Sequence, residues 1–149
     1  MADSIEELSF GVTMDALAEQ ERALLALRTR AGTVIAAASI SGSLLGAATH
    51  SVDIWAVVAF CAFGLCVLSS IVVLLPQALV FGFRGSALLA EADHRGVEDL
   101  RDAYRAAGQW VEPHLARNAD VIGRLSAWFT LSCVALAVEI VLWTIHVGR

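Results

Sequence analysis

Apolar positions along this chain follow two different patterns. In the first, three unbroken runs at residues 32–48, 54–75 and 126–147 contain no Lys or Arg, and between them they carry one acidic side chain, Glu139. Each run has about the length that crosses a ~30 Å hydrocarbon layer as a helix. Backbone polar groups in lipid must be satisfied within the chain itself, which a helix does residue by residue. The runs therefore predict three transmembrane helices and an all-α fold.

The second pattern is amphipathic. Residues 14–30 are good helix formers with Leu17, Leu24 and Leu27 on one stripe, predicting a helix that leads directly into the first apolar run. Ser4 followed by Glu7 suggests a capping box, Gly11 a break and Thr13 a second start. Later in the chain a 3,4 spacing links Val97, Leu100, Tyr104, Ala107, Val111, His114, Asn118, Val121 and Leu125, the seam of a helix that buries one face. Pro113 lies inside this seam, which predicts two helices or one kinked helix, because proline removes a backbone donor. Pro76 predicts the end of the second apolar helix, and the short apolar stretch Leu79-Val80-Phe81-Gly82-Phe83 is expected at the membrane surface or against a neighbouring helix. The resulting order is an N-terminal amphipathic helix (1–31), a transmembrane hairpin (32–75), a helical segment (76–125) and a third span with a short tail (126–149), read as one membrane domain.

Composition sharpens the class. Hydrophobic residues make up 58% of the chain and charged residues 17%, against about 45–50% apolar in soluble domains. The net charge of −5 argues against nucleic acid as a partner, because phosphate contacts draw on clusters of positive charge. Cys61, Cys66 and Cys133 all fall inside apolar runs and read as small packing residues, not a disulfide framework. Every basic residue is Arg, a composition effect of GC-rich genomes that points to a bacterial source.

Nine of the ten Arg residues precede the first run or lie between the second and third, with Arg149 alone at the far end. Positive charge is retained on the cytoplasmic side. This predicts a multi-pass inner-membrane protein with a cytoplasmic N-terminus, a tight external turn, a cytoplasmic middle segment and an external C-terminus. The acidic residues among the first thirty speak against a cleaved signal peptide.

Glu139 is the residue whose position most needs a reason. A carboxylate near the middle of a span costs on the order of 2.5–3.5 kcal/mol on insertion scales. Ser132, Ala135 and His146 share its helix face, giving a polar stripe from the centre of the span towards its external end. Three readings stand open. Glu139 stays neutral and makes one interhelical hydrogen bond, it bridges subunits or gates, or it couples ions or protons. Ala38, Gly42 and Gly46 form a row of small residues that lets helix backbones meet, either within the chain or between copies. His94 and His114 have acidic neighbours, but no metal, phosphate-loop or nucleophile motif accompanies them, so neither a catalytic residue, a metal nor a cofactor is expected.

A helix leading through Arg28-Thr29-Arg30-Ala31 into a short-turn hairpin, a proline at its end, a helical segment and a final span resembles the small bacterial membrane effectors of anti-phage signalling, the Pycsar transmembrane effectors and the related SLATT modules. The resemblance implies a non-enzymatic membrane protein that self-associates as a homo-oligomer and impairs the membrane when triggered. Where that family's pattern would place an acidic-x-Lys-Ala element, this chain has Thr29-Arg30-Ala31, and it holds no nucleotide-binding domain, so the trigger would arrive through a soluble cytoplasmic partner. A small ion- or proton-coupled transport component using Glu139, and a passive anchor for a soluble partner, are the alternatives.

Overall fold

The computed structural model describes residues 5–47, 53–82, 93 and 100–148. Three helices account for nearly all of them: α1 (Ile5–Ala47), α2 (Ile54–Leu74) and α3 (Leu100–Val147). Each is long and apolar enough to cross a membrane. At 43 and 48 residues, α1 and α3 have roughly twice the ~20 residues that a bilayer requires. Gly11 does not interrupt α1, and the seam and the third apolar run lie on one continuous α3. Pro113 is accommodated inside that helix. Both Pro113 and Gln109 are exposed, so water can reach the Gln109 carbonyl that proline leaves without its donor. Ser4, the turn at 48–52, His94 and Val97 lie outside the described residues, as does the side chain of Leu100.

The end of α2 follows from local chemistry. A residue before proline is driven out of helical conformation, and Leu75, preceding Pro76, has φ −57° and ψ 140°. Its N–H still donates to the Ile71 carbonyl at 3.0 Å, and its own carbonyl accepts from Arg28 Nη2 at 3.3 Å. A cation at a helix C-terminus answers both the orphan carbonyls and the dipole. At the other end Asp53 is the N-cap, its Oδ1 accepting from Ala56 N at 2.9 Å.

The chain divides into two compact units, Met1–Leu24 with Gln77–Ile122, and Leu25–Pro76 with Gly123–Arg149. In the first, the beginnings of α1 and α3 pair in parallel. Leu17, Leu24, Ala107, Val111 and Asn118 are buried, while Tyr104, His114 and Val121 are half-buried. Phe10 meets the Tyr104 ring at 5.6 Å, Gln20 Nε2 donates to the Leu115 carbonyl at 3.1 Å, and Arg105 lies 3.4 Å from Glu6. The non-helical 77–82 stretch is tied to α3, because Asn118 Nδ2 donates to the Val80 carbonyl at 2.8 Å. It takes the second of its two expected positions, against a helix.

The second unit is a three-helix bundle built from the rest of α1, α2 and the rest of α3, with α2 antiparallel to the other two. Its interior consists of small and polar groups: Ala31, Ala38, Ala56, Ala59, Cys66, Ser69, Ser70, Ser132, Ala135 and Glu139, with Val73, Leu125 and Trp143. Its surface carries Ile40, Val57, Val58, Leu65, Leu68, Ile71, Val134, Val138, Ile140 and Val141. That arrangement inverts a water-soluble domain. Monomeric soluble proteins seldom expose a large contiguous apolar patch, whereas helices packed in lipid meet through small residues and hydrogen bonds.

Candidate functional site

The buried polar groups of the bundle lie in two layers, each headed by a residue of α3, two helical turns apart. Ser132 heads the first. Its hydroxyl donates to the Cys66 carbonyl at 3.1 Å and lies 2.5 Å from Ser70 Oγ. Each serine has one hydroxyl hydrogen, so Ser70 is the donor to Ser132. The Cys66 thiol stands 3.5 Å from the same oxygen, and Ser69 turns back to the Leu65 carbonyl. This layer is satisfied, and it fastens α2 to α3. The sequence singles out Ser132 but not its partners Ser70 and Cys66. A Ser-Ser pair in the middle of an apolar run was the available signal.

Glu139 heads the second layer and is fully buried. Neither of its carboxyl oxygens has a hydrogen-bond partner, and the buried Ser41 hydroxyl and Trp143 Nε1 also have none. Ser41, on α1, is the group beside the carboxyl, without closing a bond of good geometry. A Cβ placed on Gly42 would lie 3.5 Å from the Phe63 ring and 3.6 Å from Glu139 Oε1, and one on Gly46 would lie 3.8 Å from Phe60. The row Ala38, Gly42, Gly46 is thus filled from within the chain: Ala38 packs with Cys66 and Ala135, Gly42 makes room for Phe63 and Glu139, and Gly46 faces Phe60. The hydroxyl of Ser132 is committed to the first layer, so it supplies Glu139 with nothing.

Trp143 continues the α3 face one turn further. It is buried against Ala56 and Ala59, with the Phe60 ring edge-on at 5.2 Å and the His146 ring edge-on at 5.7 Å. Alanines on α2 make this possible, because a large indole needs small residues opposite it. His146 Nδ1 then comes within 2.8 Å of Asp53 Oδ1, though the approach is bent away from the ring N–H direction, making it a close polar contact more than a directed hydrogen bond. The backbone N–H of Ala56 foremost, and His146 after it, hold the Asp53 carboxyl below the ordinary carboxylate range. His146 therefore belongs with the cap of α2, on the same α3 face as Glu139 but two turns away.

In the first unit, the two helices leave a groove of about 490 Å³ lined by Glu6, Ser9, Thr13, Tyr104, Arg105 and Gln109, among others. Ile5, Leu8, Val12 and Trp110 stay exposed beside it. Among the described residues, no group of three or more His, Cys, Asp or Glu could hold a metal. No protein-family model, curated protein or solved structure matches this chain.

Proposed function

We propose that this chain is a non-enzymatic bacterial inner-membrane effector, which associates with further copies of itself and impairs the membrane when a soluble cytoplasmic partner engages its amphipathic helices. One observation carries the membrane half of this reading: the inverted bundle, with serines and a carboxyl inside and branched aliphatic side chains outside. Association is supported by the first unit, where two helices leave Ile5, Leu8, Val12 and Trp110 exposed among the described residues. Apolar side chains in water beside a polar groove mark a surface that meets another protein. The Arg distribution supports placing that unit in the cytoplasm, and the resemblance to the Pycsar and SLATT effectors supplies the mode of action.

Induced expression in a bacterial host tests the reading directly. An effector depolarises the membrane, read with a potential-sensitive dye, and arrests growth. Unchanged potential and growth would leave the chain an anchor. A second reading, a proton- or ion-coupled transport component, is favoured by the unpartnered burial of Glu139. It predicts flux in proteoliposomes that Glu139→Gln abolishes, whereas the effector reading expects Glu139→Gln to keep the phenotype.

A further inference from the structure

The centre of the bundle presents a chemical problem whose simplest solution is a bound proton. Glu139 is fully buried. The groups nearest it are Ser41 and Gly42 on α1 and Phe63 on α2, with the Cys66 thiol within electrostatic range. Cys133 and His146 are the nearest titratable groups along its own helix. None of these is an Arg or Lys, and the apolar runs contain neither. An ionised carboxylate there would lack a counter-charge, with only the neutral Ser41 hydroxyl and Trp143 N–H at hand and neither in bonding geometry, a burial that costs far more than neutralising the group. A protonated carboxyl changes the inventory, because it offers one O–H donor and keeps a carbonyl acceptor. Two buried groups without partners complement those functions, since Ser41 Oγ can accept and Trp143 Nε1–H, one turn along α3, can only donate.

The same face also connects this site to one end of the bundle. From Glu139 the same helix face carries Trp143, whose ring lies edge-on to His146 at 5.7 Å, and His146 in turn stands 2.8 Å from the half-exposed Asp53 carboxyl. In the opposite direction the Ser132 layer is closed, with its hydroxyls already committed to Ser70 and the Cys66 carbonyl.

We propose that Glu139 is a proton-binding site, that Ser41 and Trp143 hold the protonated carboxyl, and that its proton exchanges with water through the Asp53–His146 end of the bundle. This inference is independent of the effector reading. A carboxyl can bind a proton in a protein that never impairs a membrane.

Infrared spectroscopy of the full chain in lipid discs tests it. Exposed Asp and Glu are ionised at neutral pH, so a protonated carboxyl gives a C=O band in a clear region of the spectrum. The expected result is such a band at neutral pH in the native chain and its loss in Glu139→Gln, which keeps the shape of the side chain. Ser41→Ala and Trp143→Phe should each shift the band to higher frequency as hydrogen bonds to the carboxyl disappear. On transfer to heavy water the band shifts as the proton exchanges, and His146→Phe should slow that exchange several-fold while Ser70→Ala leaves it unchanged. No band at neutral pH, or a band that survives Glu139→Gln, overturns the site. A band indifferent to both Ser41→Ala and Trp143→Phe overturns the assignment of the holding residues. Exchange as fast in His146→Phe as in the native chain, or slowed as much in Ser70→Ala, overturns the route. Amide-band helicity, recorded in the same spectra, identifies any variant that has lost its fold, and Asp53→Asn then replaces His146→Phe as the test of the route.

Discussion

The two units share the same two long helices, and only the second adds α2, yet different forces hold them. The first buries Leu17, Leu24 and Val111 and leaves its charges outside, with Arg105 and Glu6 in contact at the edge. The second buries Ser70, Ser132 and Glu139 and turns its aliphatic side chains outward. In water the apolar stripe drives association. In lipid it cannot, because the tails are as apolar as leucine, and close approach and hydrogen bonds take over. Under the proposed topology, one helix passes from water into lipid, and the residue types that stabilise it reverse.

That contrast can be broken most forcefully at Leu17. Leu17→Ala removes a buried side chain from a small apolar core and should destabilise the first unit by about 2–5 kcal/mol, read as faster amide hydrogen exchange across 5–24 and 100–122 with little change in α2. Equal loss of protection in all three helices would show that the units do not open separately.

Gly42→Leu comes next. A Cβ there already reaches Phe63 and Glu139, so the further carbons of a leucine must displace one of them and should cost about 1–3 kcal/mol by overpacking, lowering the melting temperature in detergent. Gly64, with nothing within 4 Å of its missing Cβ, supplies the matched control: Gly64→Ala should be neutral or slightly stabilising, since alanine favours helix.

Ser132→Ala removes the link from α3 to Ser70 and the Cys66 carbonyl. Interhelical hydrogen bonds in membranes average about 0.6 kcal/mol, so a loss on the order of 1 kcal/mol in thermal unfolding is expected, and no effect would mean that the serine layer is ornamental to stability.

The smallest effects belong to the exposed polar contacts. Arg105→Ala should cost less than about 1 kcal/mol, and the loss should vanish in high salt. For Asp53 the sign follows from its lowered folded-state value: stability from the cap is present above the ordinary carboxylate range and is lost as pH falls through the folded value. Asp53→Asn, which can still accept from Ala56 N, should remove that acid-side dependence while keeping α2 intact, as circular dichroism against pH would report.

The legibility of this fold in the sequence was uneven for physical reasons. Helix class and the three apolar runs could be read because length and composition dominate in lipid, and the Leu17–Leu24 stripe could be read because burial in water has a helical period. Continuity through Gly11 and Pro113 could not, because the local cost of either residue is decided by whether its surroundings are packed or hydrated. Glu139 stood out by charge alone. Its neighbours Ser41 and Trp143 did not, since they come from different helices or carry no charge, and only packing brings them to one face. The small-residue row at 38, 42 and 46 was recognisable as a contact surface, but what fills it, Phe63 and Glu139 in place of a second copy, depends on the crossing of helices that spacing alone leaves open.

Arg28, reaching over to the last carbonyl of α2, has a consequence for bilayer thickness. It closes one end of the apolar layer, and the Asp53–His146 contact closes the other. Between them α2 contributes 21 residues, a rise of about 31 Å at 1.5 Å per residue, close to the ~30 Å hydrocarbon thickness of a typical membrane. Polar clasps at both ends make that length a fixed property of the bundle. In thinner bilayers it must tilt or gather lipid around itself, at a fraction of a kcal/mol per Å, and oriented infrared dichroism in short-chain lipids should record the tilt. Releasing the lower clasp with Arg28→Ala should let α2 fray there and relax the tilt, leaving the bundle less particular about the membrane that holds it.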